Sequence, residues 1–286
     1  MALRVSPPKV FPVATRAAKP PTDASGSADA YRQTAFVLDE QVQVVVDGLN
    51  FEGAAAEASS GAKYRNQEVA ATLVLWSRAW LMRLQALHAI QWGNYAATTP
   101  LVRSAADFQA AVVYSLRTGA AEWQEWLASD GIRIATEQHA TEFRLHAFRA
   151  AEVLAADELL GPLYRVTMDL SMPHFGASML VAASESAPDH VSPTFGDRDF
   201  HLGLAELHLG WLLELGLSQR ATLRAFASVL ANGDEATGLD LDARTARHLA
   251  NPSRCRVEAI EIGNERRYLI HNFRREPRSA PKRILL

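Results

Sequence analysis

The chain has 286 residues, of which 48% are hydrophobic and 21% charged, and its formal net charge at pH 7 is -3. A chain of this length can bury an apolar core without disulfides, and its single cysteine, Cys255, rules out an internal disulfide and fits a reducing compartment. The sequence has no run of about 18 apolar residues and no secretory signal at its start, so we expect a soluble cytoplasmic protein without a membrane-spanning helix.

The first predicted segment is a disordered, basic, proline-rich tail over residues 1–30, and it is followed by a helical bundle over residues 31–252. Thr99 is the expected N-cap of one helix, with Pro100 at its first helical position. The hydrophobic pattern predicts helices at 31–58, 63–91, 99–117, a short stretch carrying Trp123 and Trp126, 134–157, 163–172, 200–216, 218–231 and 240–250. A long loop with a short strand at 179–182 is expected between residues 176 and 200.

The pattern changes near the C-terminus. Residues 253–273 alternate in the manner of a β-hairpin, with Gly263 and Asn264 in the turn. Residues 274–286 carry five basic residues and one acidic residue, and we expect them to form a second basic tail. The predicted fold class is therefore all-α, a multi-helix bundle with a small C-terminal β-hairpin.

Motifs for common cofactors and nucleophiles are absent from the sequence. It contains no phosphate-binding Gly-rich loop, no nucleophile elbow, no Cys-x-x-Cys and no His-Glu-x-x-His. We expect no cofactor. Since the body between the basic tails is acidic, contact with nucleic acid is expected only through those tails or through a ribonuclease site.

Histidines at helical spacing form one candidate site. His139, Glu142 and His146 fall on one face of the helix predicted at 134–157, and His201 and His208 are seven residues apart on another. Two such faces could hold a metal ion in a bundle. The alternatives are a polar helix face for the first set and a buried, hydrogen-bonded histidine for the second.

Arginine–histidine pairs form a second candidate. An arginine separated from a following histidine by four to six intervening residues is the catalytic signature of HEPN-type ribonucleases, in which the pair could bind a phosphate and move a proton. Arg83 and His88 are the best placed of three such pairs. Chance alone gives about two or three matches in this composition, so a structural role for this pair stays open.

Two further segments carry a family resemblance. They are WGNYAATTPLVRSAADFQAAVVYSL, with Arg103 and Asp107 at i and i+4, and LYRVTMDLSMPHF, with Tyr164, Ser171 and His174. They resemble an uncharacterised group of all-helical bacterial proteins that is distantly related to the HEPN fold. The resemblance implies a HEPN-like bundle with these residues at a polar centre. It leaves open whether that centre is a structural network or a ligand or catalytic pocket.

Trp123 and Trp126, at i and i+3 of a short helix, share one face. They are interpreted either as core residues or as anchors for a partner.

Three functions remain open from the sequence. The first is a non-catalytic interaction or regulatory protein of a bacterial cytoplasmic system, with a protein partner or a second copy of itself. The second is a HEPN-like ribonuclease or nucleotide-modifying enzyme that uses arginine and histidine. The third is a metal-binding helical bundle.

Overall fold

The computed structural model describes residues 9–21, 25–60, 67–129, 132–134, 141–143, 147–187 and 189–286. These residues are mostly helical, with ten helices. They are α1 Ser27–Val37, α2 Asp39–Ser60, α3 Gln67–Gln91, α4 Tyr95–Arg117, α5 Ala121–Ala128, α6 Ala151–Ala156, α7 Leu160–Ser171, α8 Phe175–Ala182, α9 Leu202–Ala225 and α10 Glu235–Leu249. A short pair of strands, β1 Ile132–Ile134 and β2 Thr141–Phe143, follows α5, and a sheet of β3 Arg256–Ile262, β4 Glu265–Phe273 and β5 Lys282–Leu285 ends the chain.

Helix α9 is the central element of the bundle. Most of its residues are apolar, and 18 of its 24 residues are buried. Helices α2, α3, α4, α7 and α10 and strands β3 and β4 all pack against it. A helix that is mostly hydrophobic has to be enclosed in this way, so α9 determines where the other helices lie. No helix in the described part of the chain is both long and apolar enough to cross a membrane.

Helices α2 and α4 begin at other residues than the sequence predicts. The helix expected at 31–58 is broken at the buried Leu38, and Asp39 and Glu40 then open α2, where acidic side chains favour the positive end of the helix dipole. Thr99 is not an N-cap. Helix α4 begins one turn earlier, at Tyr95, and Pro100 lies exposed in its second turn.

Two further elements were assigned to the wrong class. Residues 179–182 belong to helix α8, because His174 caps its N-terminus by accepting a hydrogen bond from the Ala177 backbone N–H at 3.1 Å. The helix expected at 134–157 is also wrong. Residues 141–143 pair with 132–134 as antiparallel strands, and among the described residues of this range only Ala151–Ala156 is helical.

The break predicted between helices 200–216 and 218–231 does not occur. Gly216 lies within α9, where a side chain would be crowded, since a Cβ there would lie 3.1 Å from Nη1 of Arg220. A Cβ at Gly48 in α2 would lie 3.2 Å from the same atom. Both glycines therefore provide room for a buried guanidinium, whose Nε binds Asp242 of α10 at 2.6 Å.

Residues 9–21 pack against the bundle, which differs from the disordered tail expected over residues 1–30, of which residues 1–8 and 22–24 lie outside the described part. The Ala14 backbone N–H donates to Oδ1 of Asn50 in α2 at 2.7 Å, and the Ala17 N–H donates to Oε1 of Gln91 in α3 at 2.8 Å. Both alanines are buried. Two helices thus hold the segment through side chains that satisfy its backbone.

The predicted β-hairpin is confirmed and extended. Strands β3 and β4 pair antiparallel around the Gly263–Asn264 turn, and β5, drawn from the expected basic tail, pairs with β4 as a third strand. The sheet is anchored to the start of α9, where the Gly203 N–H donates to the Arg274 carbonyl at 2.9 Å. These bonds satisfy backbone donors that a helix N-terminus leaves free.

Candidate active or binding pocket

A pocket of about 720 Å³ opens between α3, α4, α5, residues 147–150 and α7. We call it the α5 pocket. Its volume falls in the range of about 300–1,000 Å³ that is typical of small-molecule sites. The described residues that line it are Ala71, Val74, Leu75, Arg103, Ser104, Asp107, Phe108, Ala111, Ser115, Glu122, Trp123, Trp126, Ala147, Phe148, Arg149, Ala150 and Tyr164. Most of this lining is apolar or aromatic.

Five of the candidate residues from the sequence meet in this pocket. Arg103 and Asp107 lie on α4, Trp123 and Trp126 on α5, and Tyr164 on α7. They come together because α4 contacts both α5 and α7, and because the spacings of four and three residues keep each helical pair on one face.

The Arg103–Asp107 pair is loose and partly desolvated. Nε of Arg103 lies 4.0 Å from Oδ2 of Asp107, and the two side chains are 38% and 29% exposed. Burial raises the pKa of Asp107, and the charge of Arg103 lowers it by less. The Arg103 guanidinium carbon also lies 5.9 Å from the centre of the Tyr164 ring, within range of a cation–π contact.

Two buried hydrogen-bond donors in the pocket lack an acceptor. Nε of Arg103 and Nε1 of Trp123 are inaccessible to solvent, and neither has a hydrogen-bond partner among the described residues. An unsatisfied buried donor costs about 1–3 kcal/mol. Such groups are uncommon in native proteins and require an explanation.

The tryptophans of α5 are pocket residues and not core residues. Unlike the core helices, helix α5 has no buried residue. The centres of the two indole rings lie 5.2 Å apart, and the ring planes are tilted by 44°. Phe108 lines the same pocket, and the guanidinium carbon of Arg78 lies 4.7 Å from the centre of its ring. The walls therefore present several aromatic surfaces.

The rim of the pocket carries opposite charges. Arg149 forms an ion pair with Glu125. The hydrogen bond to Glu125 is the main cause that raises the pKa of Arg149, and the charges of Glu125 and Glu122 raise it further. Phe148 is 49% exposed and Val74 is 58% exposed. The entrance is thus partly apolar and open to solvent.

His174 and Ser171 lie outside the α5 pocket. His174 accepts from the Ala177 N–H through Nδ1, so Nε2 donates to the Asp169 carbonyl at 2.9 Å. The Ser171 hydroxyl donates to the Thr167 carbonyl at 2.6 Å. Both side chains serve the local backbone at the α7–α8 junction.

Arg83 and His88 point in different directions from α3. Arg83 is buried and binds the carboxylate of Glu52, while Nε2 of the partly exposed His88 contacts the Thr15 carbonyl at 2.8 Å. Five residues along a helix correspond to about 140° of rotation. The pair does not share a face.

The second histidine set does not converge on a site. His208 is fully enclosed, and its Nδ1 donates to the Leu204 carbonyl at 2.7 Å while Nε2 accepts from the Thr99 hydroxyl at 2.9 Å. Nδ1 of His201 accepts from the Leu204 N–H and caps α9. Glu206 accepts instead from the Cys255 N–H at 2.9 Å.

The first histidine set cannot form the predicted helical face. Glu142 lies in strand β2, while His139 and His146 lie outside the described residues. Within the described ranges, no group of three or more His, Cys, Asp or Glu side chains could hold a metal ion.

Several pocket residues escaped the sequence reasoning. Phe108, Ala111 and Ser115 follow Ser104 along α4 at spacings of three and four residues. That periodicity was available in the sequence and would have extended the face of Arg103 and Asp107. Phe148 and Arg149 gave no such signal, because they lie in a stretch that was assigned to a helix.

Comparison with family models, curated proteins and solved structures gave no match for this chain. Its function is therefore argued from the site.

Proposed function

We propose that this is a non-catalytic, regulatory binding protein that holds a small organic compound in the α5 pocket. The observation that supports this most strongly is the open pocket of about 720 Å³, whose lining is mostly apolar and includes the polar side chains of Arg103, Asp107 and Tyr164. A pocket with a few convergent polar groups in an apolar lining is the usual form of a small-molecule site.

The composition of the pocket favours binding over catalysis. None of its described lining residues is His, Cys or Lys, so its hydroxyls and carboxylates have no imidazole, thiol or amine beside them to act as a base or nucleophile near neutral pH. His88 and His174, which the ribonuclease hypothesis needs, contact backbone carbonyls elsewhere. Arg83 is enclosed by its ion pair.

A pocket-filling substitution tests the proposal. Ala111 lies partly buried in the lining of the pocket, and Ala111→Trp would place an indole ring in the cavity. Ala54→Trp, at an exposed position of α2, is the matched control. The probe is N-phenyl-1-naphthylamine, a neutral dye that fluoresces in apolar surroundings.

We expect saturable dye binding to the unmodified protein and to Ala54→Trp, and a loss of at least about tenfold in affinity for Ala111→Trp, which corresponds to about 1.4 kcal/mol. Circular dichroism and thermal unfolding check that both variants fold. Equal binding by all three proteins, or no saturable binding by any, contradicts the proposal.

A further inference from the structure

The charge on the pocket wall also indicates which chemical class the pocket accepts, and this inference rests on the proposed function. Nε of Arg103 and Nε1 of Trp123 are closed to solvent and out of reach of a ligand. The Arg103 side chain as a whole is 38% exposed, so a ligand in the pocket can reach the terminal nitrogens of its guanidinium.

The charge of Arg103 narrows the class further. A guanidinium is always protonated and presents five donors in a planar fork that fits carboxylates and related anions. Its partner in the pocket, Asp107, lies 4.0 Å from Nε, too far for a hydrogen bond. The fork is thus held beside a carboxylate without being saturated by it.

The other charged side chains near Arg103 are paired with one another or lie at the rim of the pocket. Arg149 pairs with Glu125 at the rim, and Glu122 lies beside that pair. A cationic ligand drawn to Asp107 would meet the Arg103 guanidinium, which lies over the Tyr164 ring on the same side.

The aromatic walls determine the remainder of the ligand. Trp123 and Trp126 lie 5.2 Å apart, and Phe108 and Phe148 line the same space. Ring faces in this arrangement pack well against flat or extended apolar groups.

We infer that the α5 pocket binds an amphipathic organic anion. Its acidic head lies at Arg103, and its apolar body packs against Trp126, Phe108 and Phe148.

A matched pair of dyes tests this inference. 1-Anilinonaphthalene-8-sulfonate has the same ring system as N-phenyl-1-naphthylamine and adds one sulfonate. We expect the sulfonate dye to bind the unmodified protein more tightly, and Arg103→Met to weaken the sulfonate dye by about tenfold or more beyond any change in the affinity for the neutral dye.

Arg117→Met is the control, because Arg117 lies exposed in the last turn of the same helix, outside the pocket. The inference is overturned if the neutral dye binds at least as tightly as the sulfonate dye, or if Arg103→Met weakens both equally. Failure of both dyes to bind, or binding that Ala111→Trp does not reduce, overturns the proposed function as well. If the neutral dye binds at least as tightly, or if Arg103→Met weakens both dyes equally, the pocket remains a binding site and only the preference for an anion is removed.

Discussion

The guanidinium of Arg83 and the carboxylate of Glu52 form an ion pair inside the bundle, with 2% and 0% of their side chains exposed. The pair joins α3 to α2, and the Trp76 indole N–H lies 3.5 Å from the same carboxylate. A charged pair so fully enclosed is expensive to desolvate, but removal of one partner is more costly still because the other charge remains buried. The arginine that the sequence offered as a catalytic candidate is thus committed to a contact between helices.

Loss of one charge from this pair should therefore destabilise the fold. We expect Glu52→Gln to lower the free energy of unfolding by about 3–5 kcal/mol in urea titrations. The double variant Glu52→Leu with Arg83→Met should lose less than the sum of its single changes. Asp29→Asn, which breaks the exposed pair with Arg32, is the control and should cost less than about 1 kcal/mol. A cost that small for Glu52→Gln would contradict the buried pairing.

Acid should destabilise the protein through its two enclosed histidines. Burial is the main cause that lowers the pKa of both His201 and His208, from 6.5 to about 4. The unfolded chain therefore takes up protons below about pH 6.5 while the folded protein does not. Stability is complete above that pH and is lost as the pH falls toward 4, by up to about 1.4 kcal/mol per pH unit for each histidine.

Urea titrations at pH 7, 6 and 5 measure this slope. His208→Gln should flatten it, while His190→Gln, at a ring that is 59% exposed, should leave it unchanged. An identical slope in all three proteins would show that His208 is not enclosed as described.

Asp107 should cost the protein stability at neutral pH. Since its pKa is raised in the folded state, its ionised form is less favourable there than in the unfolded chain, and the penalty sets in as the pH rises above about 3.8. We expect Asp107→Asn to raise the free energy of unfolding at pH 7 by less than about 1 kcal/mol and to have no effect near pH 3.

The matched control is Asp240→Asn, at a side chain that is 65% exposed. A clear loss of stability in Asp107→Asn at pH 7 would mean that the Arg103–Asp107 pair is a structural bridge. A residue that weakens the fold fits a binding site, where function is retained at the expense of stability.

The docking of the N-terminal segment can be tested at Gly53 in α2. A Cβ at this position would lie 2.5 Å from the Pro12 carbonyl oxygen, so Gly53→Ala should displace the segment. We expect faster cleavage of residues 9–20 by protease and a loss of about 1–3 kcal/mol.

Removal of residues 1–20 should reverse that effect. Without Pro12 to oppose it, alanine is favoured over glycine in a helix by up to about 1 kcal/mol. If Gly53→Ala destabilises the shortened protein as much as the full chain, the segment does not pack where the structure places it.

Strong local patterns were sufficient to predict most helices and part of the pocket. Arg103 and Asp107 are four residues apart on an amphipathic helix, and Trp123 and Trp126 are three apart, so the sequence places each pair on one face. The Gly263–Asn264 turn likewise predicts the β3–β4 hairpin. In each case the information lies within a few residues of the chain.

The remaining features depend on contacts between distant segments. The apolar character of α9 predicted its burial, but not that Gly216 would continue the helix, because the reason is the position of the Arg220 guanidinium. Strand β5 is separated from β4 by a proline-containing stretch and gains its conformation by pairing. His174 does not line the pocket with Arg103 as predicted, because its ring caps the N-terminus of α8.

Native mass spectrometry of the untagged protein, purified from its own host, tests the central claim most directly. The account predicts a fraction of the protein carrying one small organic compound that leaves on gentle activation and that is absent from Ala111→Trp prepared in the same way. A compound retained equally by Ala111→Trp, or a protein that carries no compound and gains none when incubated with 1-anilinonaphthalene-8-sulfonate, would contradict the assignment of the α5 pocket as a binding site.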